Sequence, residues 1–448
     1  QYQVLFPPDA AFAVQHGKPE FARWPIAREV YGGVDYTRGV DISWWKNHPS
    51  PVSFFCFHSD EDFFGGYDHG RRAGVLHYAD HHVAPGKKFF EWGTGPEGEL
   101  WSDILTDTDG PYLELMAGAF SDNQPDYSWI QPGEVKSWKH YWYPIRELGG
   151  VKAATLDAAL NLELTNRVAR LALNATAEFP NARARLELED RTLFETNLTI
   201  NPRQPFVMTL PIDAEVAPHQ LRASLVAADG RELVRWHPPA PRPDDLPLPD
   251  PVRRPLPPKD IASIEDLYLT GLRIEQLYSP SFEPAPYYEE AIRRDPGDYR
   301  ANTALGLLHA KAGRWDTAEF HLRAAIGRAT ANYIRPKDGE AQYYLGVVLK
   351  ARGELDAAYD AFHRAAWNHA WQAAAFHALA EIDAQRGRFA TALEHANDAL
   401  ARSGFNTKAR GLKTALLRRL GRADEAEETA QATLAFDPLD FLAAHELG

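Results

Sequence analysis

The sequence of 448 residues contains one cysteine and two methionines, and it has no run of about 18 apolar residues that would span a bilayer. A single cysteine, Cys56, excludes an intrachain disulfide and a structural metal site built from thiolates. Because Cys56 lies in the apolar run from Phe54 to Phe57, we interpret it as a small buried hydrophobic residue. No transmembrane helix is predicted, and a membrane is not an expected partner.

Positive charge is also scarce, with 48 Lys and Arg residues against 62 Asp and Glu residues and a net charge of −14. A nucleic-acid partner is therefore not expected, because such proteins need a basic surface. No basic segment followed by an apolar one marks a signal peptide, which favours a cytoplasmic location. The chain starts without methionine inside a strand-like segment, residues 2–6, so we expect an upstream segment or chain to complete the first domain.

Aromatic residues are abundant, and most of the 12 tryptophans precede residue 143. Between Gly65 and Tyr143, short alternating apolar and polar runs separated by Gly, Pro, Asn and Asp predict antiparallel strands joined by turns. His, Asp, Glu and Trp are frequent along these strands. Carboxylates that accept hydroxyl hydrogen bonds and aromatic faces that cover C–H groups are typical of a sugar site.

The length predicts two to four domains. We assign residues 1–150 to a β-domain and residues 151–237, where runs such as Leu160–Leu164 alternate with period two, to an immunoglobulin-like β-sandwich. Prolines recur through residues 238–260, which predicts an extended, semi-rigid linker. The fold class is therefore multidomain, β followed by α.

Residues 261–448 are rich in Ala, Leu, Arg and Glu and contain repeats. The recurring positions are Leu305, Gly306, Ala318, Leu322 and Ala325; Leu345, Gly346, Ala358, Phe362 and Ala365; Leu379, Ala380, Ala392, Ala396 and Ala399; and Ala426 and Ala430. Residues 331–337 look inserted, and residues 264–296 predict a degenerate earlier copy. The pattern resembles the tetratricopeptide repeat, whose α-solenoid presents a surface for a protein partner or for self-association.

Five motifs before residue 143 resemble the galactose mutarotase (aldose 1-epimerase) superfamily, in the same order along the chain. They are Gly66–His69, Pro96–Trp101 in the position of a hairpin, Leu113–Leu115, Gln124–Asp126 and Gln131–Glu134. The resemblance implies the C-terminal half of a mutarotase-like β-supersandwich. The fusion to tetratricopeptide repeats resembles a bacterial family without assigned chemistry.

The resemblance places Glu114 on the general base that removes the proton of the anomeric hydroxyl, and Asp68 on a carboxylate that binds sugar hydroxyls. Glu99 replaces a sugar-binding Gln of the family. The family's general acid, a His, falls upstream of this chain, and its local substitutes are His48, His69, His77, His81 and His82. A Glu114 flanked by apolar residues is expected to be buried, with a raised pKa.

Further candidate substrate-binding residues are His69, His82, Trp92, Trp101, Asp126 and Trp129. We expect His81 and His82 on one strand, and therefore on opposite faces of it. His69, His77 and His81 offer an alternative metal site, but histidines on strands and turns more often serve hydrogen bonding. We predict no metal and no cofactor.

Three functions are compatible with these residues. The first is an enzyme acting on a mono- or oligosaccharide, either an aldose epimerase or a glycoside hydrolase, in which a second carboxylate (Glu99 or Asp68) lies about 5–9.5 Å from Glu114. The alternatives are a non-catalytic sugar-binding protein that acts through its repeats and an assembly protein whose β-domain has lost its site.

Overall fold

The protein is described here by a computed structural model over residues 2–16, 20–107, 109–119, 136–189, 191–212, 216–239, 243, 246–251, 253–276 and 282–447. The chain forms two compact units. The first consists of residues 1–128 and 138–253, and the second of residues 129–137 and 254–448. The predicted order of β followed by α is confirmed.

The first part of the β-rich unit contains thirteen strands and one helix in its described residues. They are β1 (Tyr2–Leu5), β2 (Phe12–Val14), β3 (Phe21–Arg23), β4 (Ile26–Ala27), β5 (Val30–Tyr31), β6 (Val34–Asp35), β7 (Val40–Asp41), β8 (Val52–Phe57), β9 (Phe63–Asp68), β10 (Ala73–Tyr78), β11 (Gly86–Glu91), α1 (Pro96–Leu105), β12 (Leu113–Gly118) and β13 (Tyr141–Arg146). Its second part adds β14 (Ala153–Ala154), β15 (Ala158–Thr165), β16 (Val168–Ala175), β17 (Phe179–Leu188), β18 (Arg191–Ile200), β19 (Phe206–Pro211), β20 (Leu221–Val226) and β21 (Glu232–Trp236).

Four antiparallel sheets organise these strands. Sheet 1 has the order β12-β11-β8-β2-β3, sheet 2 β1-β9-β10-β13, sheet 3 β14-β15-β16-β19 and sheet 4 β18-β17-β20-β21. The short pairs β4-β7 and β5-β6 stand outside them. Neighbours such as β1 and β9 are far apart in sequence, so most of this order is set by non-local pairing.

The four sheets stack as successive layers, because strand residues alternate between two faces. Phe64 of sheet 2 shares a core with Phe54 and Phe89 of sheet 1. Its neighbour Phe63 points the other way and packs with Ala172 of sheet 3. Sheet 2 is thus buried on both faces, and each fully buried side chain of this size contributes about 1.5–3 kcal/mol.

Sheets 3 and 4 enclose a third core, in which Leu171 of β16 packs with Leu186 of β17 and Leu225 of β20. They form the β-sandwich that the period-two alternation predicts. The domain boundary proposed near residue 150 stays a prediction. In the structure, Leu148 packs with sheet 2 and with Ala172 of sheet 3, so the segment across this boundary belongs to a common core.

Hydrogen bonds accompany this core between sheets 2 and 3. The buried Asn161 side chain donates to the carbonyl of Leu148 at 3.0 Å, and Arg170 donates to the same carbonyl at 2.6 Å. The Asn174 side chain accepts from the backbone N–H of Arg146 at 2.9 Å. These contacts satisfy polar groups that would be costly to bury alone.

Two local predictions in the β-rich unit are wrong. Residues 96–101 form the first turns of α1 rather than a hairpin, because Pro96 stands at the start of the helix and Glu97 and Glu99 lie in its first turn. His81 and His82 lie in a turn after β10 rather than on a strand.

The described residues of the second unit form eleven helices. They are α2 (Ile264–Gln276), α3 (Ala285–Arg294), α4 (Tyr299–Lys311), α5 (Trp315–Ala329), α6 (Glu340–Ala351), α7 (Leu355–Ala365), α8 (His369–Gln385), α9 (Phe389–Arg402), α10 (Thr407–Arg419), α11 (Ala423–Phe436) and α12 (Phe441–Leu447). Short 3-10 turns occupy Trp45–Asn47, Pro218–Gln220 and Pro258–Asp260.

The predicted repeat register agrees with the packing of these helices. Ala318, Ala358 and Ala392 are 0% exposed and Ala426 is 2% exposed, which lets the two helices of each repeat approach closely. The glycines that join the helix pairs, Gly313, Gly353, Gly387 and Gly421, have φ between 70° and 81°, a conformation that favours glycine. Residues 330–339 form the long connection predicted between α5 and α6.

Candidate functional sites

Glu114 lies on the outer face of sheet 1. Its strand neighbours Leu113 and Leu115 pack into the core shared with sheet 2, so the alternation of the strand turns Glu114 away from that core. The side chain is half-buried and accepts a hydrogen bond from the Tyr112 hydroxyl at 2.8 Å. Burial and this neighbouring carboxylate raise the pKa of Tyr112.

An aromatic surface lies beside Glu114. Phe90 is the cross-strand partner of Glu114, and its ring meets the indole of Trp92 edge-on at 4.9 Å between centroids. Trp101 of α1 stacks on Trp92 at 4.8 Å and 17°. The face therefore combines one carboxylate with a run of three rings, which we call the aromatic face.

The other two predicted carboxylates lie apart from this arrangement or at its edge. Glu99 is exposed on α1. Asp68 ends β9 in sheet 2, and the core between sheets 1 and 2 separates it from the outer face that carries Glu114. The prediction that Asp68 lies beside Glu114 is wrong, because the two strands belong to different layers.

Asp68 instead stabilises the turn between β9 and β10. Its carboxylate accepts the backbone N–H groups of Gly70 at 2.8 Å and Arg71 at 3.3 Å, which is an Asx-turn. Burial alone would raise the pKa of Asp68, but these hydrogen bonds outweigh it and hold the pKa below its ordinary value.

Of the predicted histidines, His77 is buried against His140, and His69, His81 and His82 fall into two separate groups. His69 contacts the side chain of Gln3 at 2.9 Å and the ring of Trp44 at 4.6 Å. His81 and His82 lie together in the turn after β10, with 3.9 Å between ring centroids. Asp126 and Trp129, with the Gln124–Asp126 and Gln131–Glu134 motifs, lie outside the described residues.

His48, one of the candidate general acids, forms a buried pair with Glu91 that the sequence does not predict. His48 is 1% exposed and Glu91 is 0% exposed, and the two side chains form an ion pair. Burial raises the pKa of Glu91 and the contact with His48 opposes that rise. Because Glu91 ends the strand β11 and His48 stands in a Pro-containing loop far from it in sequence, no local pattern predicts their contact.

The helical unit contains a groove of 660 Å³ lined by residues of α2 to α6, which we call the solenoid groove. Its lining residues include Tyr268, Glu275, Tyr288, Tyr299, Arg300, Lys311, Glu340 and Tyr344. The sequence predicts a binding surface on the repeats but none of these residues, because they come from four helices that only the superhelix brings together.

Three charged side chains of the solenoid groove, those of Glu275, Arg300 and Lys311, are already paired. Lys311 contacts Glu275 at 3.0 Å, and the Tyr288 hydroxyl donates to Glu275 at 3.2 Å. Arg300 lies over the Tyr268 ring at 4.5 Å and forms an ion pair outside the groove.

Glu340 differs from these residues. Within the described chain, its carboxylate forms no ion pair or hydrogen bond, although it is half-buried. Burial, followed by the charges of Asp338 and Glu275, raises the pKa of Glu340 to about 7, and Lys311 opposes the rise. Within the described residues, Glu340 is thus a groove carboxylate without a cationic or hydrogen-bonding partner.

Three stretches of the chain match known protein families. Residues 2–145 match a domain of unknown function (DUF5107), residues 153–236 match the second domain of YphG-like proteins, and residues 285–332 match the tetratricopeptide repeat. The predicted tetratricopeptide repeats are therefore confirmed, and repeats of this kind are protein-interaction modules. These matches do not show membership of the mutarotase superfamily.

Several solved structures resemble part of the chain. MamA from Desulfovibrio magneticus RS-1, solved from its position 41 to its end, is 17% identical over 40% of this chain and 98% of its own, with a TM-score of 0.34. PilF of Pseudomonas aeruginosa is 16% identical over 38% of this chain and 75% of its own, with a TM-score of 0.34. YrrB, a TPR protein with an unusual peptide-binding site, is 17% identical over 40% of this chain and 86% of its own, with a TM-score of 0.33.

Among the helices of the described residues, none is both long enough and apolar enough to span a bilayer.

Proposed function

We propose that the protein is a binding protein whose solenoid groove holds an extended segment of a partner protein and recognises a Lys or Arg side chain in it. The observation that carries this proposal is the unpaired, half-buried carboxylate of Glu340 in a groove of 660 Å³. A partner's cation would neutralise this carboxylate and replace the water that burial has removed.

The tyrosines of the groove favour the same kind of side chain. Tyr268, Tyr288 and Tyr344 line the solenoid groove together with Glu340. A cation near an aromatic face gains about 0.5–2 kcal/mol, and the aliphatic stem of Lys or Arg packs on the rings.

Selection of random twelve-residue peptides on the full chain tests the proposal. We expect the selected peptides to share a Lys or Arg and to bind Glu340→Lys at least tenfold more weakly, because two positive charges would then meet. Replacing the shared basic residue by Glu should restore binding to Glu340→Lys.

The matched control is Glu394→Lys, which makes the same charge change at an exposed position of α9 and should leave the peptide affinity unchanged. Peptides that bind Glu340→Lys as well as the unmodified chain, or that share an acidic residue, would contradict the proposal.

A second function, carbohydrate binding at the aromatic face, is favoured by the stacked Trp92 and Trp101 next to Glu114. Stacked indoles cover the C–H face of a pyranose, and a carboxylate accepts its hydroxyl hydrogen bonds. This second proposal includes two assignments of fold: a mutarotase-like supersandwich, and an immunoglobulin-like sandwich for sheets 3 and 4. It also includes the role of Glu114 as a general base.

Two kinds of enzyme are consistent with the second function. An aldose epimerase needs an acid opposite Glu114, and a glycoside hydrolase needs a second carboxylate, for which Glu99 is the candidate now that Asp68 lies in another layer. A non-catalytic sugar-binding domain needs neither of them.

Titration calorimetry with mono- and disaccharides tests the second function. Trp101→Ala should weaken binding at least tenfold, whereas Trp367→Ala, which removes an indole that is 41% exposed in the helical unit, should not change it. Glu114→Gln should keep binding but abolish turnover if the protein is an enzyme, and binding without turnover by the unmodified chain identifies a binding domain. Equal affinity of Trp101→Ala and the unmodified chain would exclude the aromatic face.

A further inference from the structure

The turn after β10 brings two consecutive histidines side by side. The carbonyl of Asp80 accepts the N–H groups of Val83 at 3.0 Å and Ala84 at 2.9 Å, and its side chain accepts the N–H of His82 at 2.9 Å. This tight turn places the rings of His81 and His82 3.9 Å apart, with an angle of 36° between their planes. On a strand, consecutive side chains would point in opposite directions.

Each of the two imidazoles is oriented by a carboxylate. The Nδ1 atom of His81 lies 2.8 Å from Asp62 Oδ1, and that of His82 lies 2.9 Å from Asp80 Oδ1. An ionised carboxylate only accepts hydrogen bonds, so both Nδ1 atoms carry the proton. In neutral His81 this leaves the lone pair on Nε2, which is the usual state of a metal-binding histidine with a supporting carboxylate. In His82 the 2.9 Å between Nδ1 and Asp80 Oδ1 is close to the roughly 3.3 Å that separates two ligands of one tetrahedral Zn²⁺.

Asp62 is itself held in place. It accepts the backbone N–H of His81 at 2.9 Å and the hydroxyl of Tyr78 at 3.1 Å. These contacts fix the carboxylate that orients the His81 ring, so this ring does not depend on a ligand for its position.

The distances between candidate ligand atoms are compatible with a single ion. Asp80, His81 and His82 each offer one ligand atom within 4.8 Å of the other two. The side chain of His81 is 20% exposed and those of His82 and Asp80 are 77% and 62% exposed, so an ion can enter and water can complete its coordination. Side-chain rotations close the remaining distance to the Zn–N length of about 2.0–2.1 Å.

We propose that Asp80, His81 and His82 form a binding site for a divalent transition metal such as Zn²⁺. His81 binds through Nε2, and His82 binds through Nδ1, where the metal replaces a proton that passes to the solvent. Asp80 supplies a carboxylate oxygen, and Asp62 acts as the positioning residue of His81. Two imidazoles with one carboxylate suit Zn²⁺ and the neighbouring transition metals better than Mg²⁺ or Ca²⁺, which prefer oxygen ligands.

Titration of the untagged, metal-free full chain with ZnCl₂, followed by calorimetry, tests the proposal. We expect one equivalent to bind with micromolar affinity, and His81→Ala and His82→Ala each to weaken binding at least tenfold. Asp62→Asn should weaken it about 10- to 100-fold, the usual effect of losing a supporting carboxylate. Co²⁺ in place of Zn²⁺ should give a visible absorption band that His81→Ala removes.

The control is His58→Ala, which removes an exposed histidine of the same unit and should leave the affinity unchanged. Circular dichroism of each variant checks that the fold is retained. Two results would overturn the proposal. The first is an adventitious ion only, which would give His81→Ala and the unmodified chain the same stoichiometry and affinity. The second is the absence of binding at 100-fold excess Zn²⁺. An unchanged affinity of Asp62→Asn would remove the positioning role.

Discussion

Glu340 is the residue whose charge state most directly links the structure to a measurable property. Its pKa is raised from 4.5 to about 7, first by burial and then by Asp338 and Glu275. A raised carboxyl pKa means that the folded state holds its proton to higher pH than the unfolded state does. Glu340 therefore destabilises the fold increasingly as the pH rises from about 4.5, and the full cost is reached above about 7.

The first prediction follows from this sign. Glu340→Gln should increase the free energy of unfolding at pH 8 by at most about 3 kcal/mol, at 1.36 kcal/mol per pKa unit, and should change it little at pH 4.5. Urea denaturation of both proteins across this pH range measures the difference. The exposed Glu394→Gln should show no such pH dependence, and a stabilisation by Glu340→Gln that is equal at pH 4.5 and pH 8 would contradict the assignment.

The sequence predicted the location of the aromatic face correctly but not that of Asp68. The residues of the aromatic face were all in the stretch selected for its density of Trp and carboxylates. Asp68, in contrast, was placed beside Glu114 because both fall on motifs of one family resemblance. Whether two strands share a layer depends on non-local pairing, which neither motif contains.

The two helices of a repeat pack closely where a glycine lies at the contact between them. A Cβ atom at Gly306 of α4 would lie 2.7 Å from Cγ of Leu322 on α5. At Gly327, within α5, a Cβ atom would meet no other atom within 4 Å. The two glycines occupy the same repeat and differ in whether space is available.

The second prediction uses this pair. Gly306→Ala should destabilise the helical unit by about 1–3 kcal/mol, since it overpacks a helix contact. Gly327→Ala should stabilise it by about 0.5–1 kcal/mol, since alanine is the better helix former in open space. Thermal unfolding followed by circular dichroism measures both variants. Equal effects of the two substitutions would show that α4 and α5 do not pack as described.

The sequence at the start of helix α1 predicts a helix more reliably than the family resemblance predicts a hairpin there. A proline at the first helical position with Glu97 and Glu99 in the first turn is a helix start that the sequence displays. The hairpin was predicted instead because the segment falls at a hairpin of the mutarotase pattern. His81 and His82 were predicted on a strand, but the chain turns at Asp80, whose side chain accepts the N–H of His82.

For the whole molecule, the stacking of four sheets makes the β-rich unit larger than either of its family matches. Sheet 2 has apolar residues on both faces, with Phe64 directed to sheet 1 and Phe63 to sheet 3. The face around Phe63, Leu76 and Ile145 is covered by Ala159 and Ala172. Removing sheets 3 and 4 would expose this face to water.

The third prediction concerns fragments. A fragment that ends at residue 150 should aggregate or bind a hydrophobic dye, whereas one that ends at residue 253 should be monodisperse and unfold cooperatively. Size-exclusion chromatography with denaturant unfolding distinguishes the two results. A stable, dye-free fragment 1–150 would show that sheet 2 does not need sheet 3.

The sequence alone determined the order of β and α parts, the register of the tetratricopeptide repeats, and the period-two alternation of the strands. These are local properties, because turn glycines, small residues at a fixed spacing and alternating polarity act over a few positions. The tertiary structure decided which strands became neighbours, which face Glu114 occupies, and which residues meet in the solenoid groove and around His81 and His82. Such contacts join residues far apart in the chain or depend on the path of one turn, and their free energy comes from packing that no single segment contains.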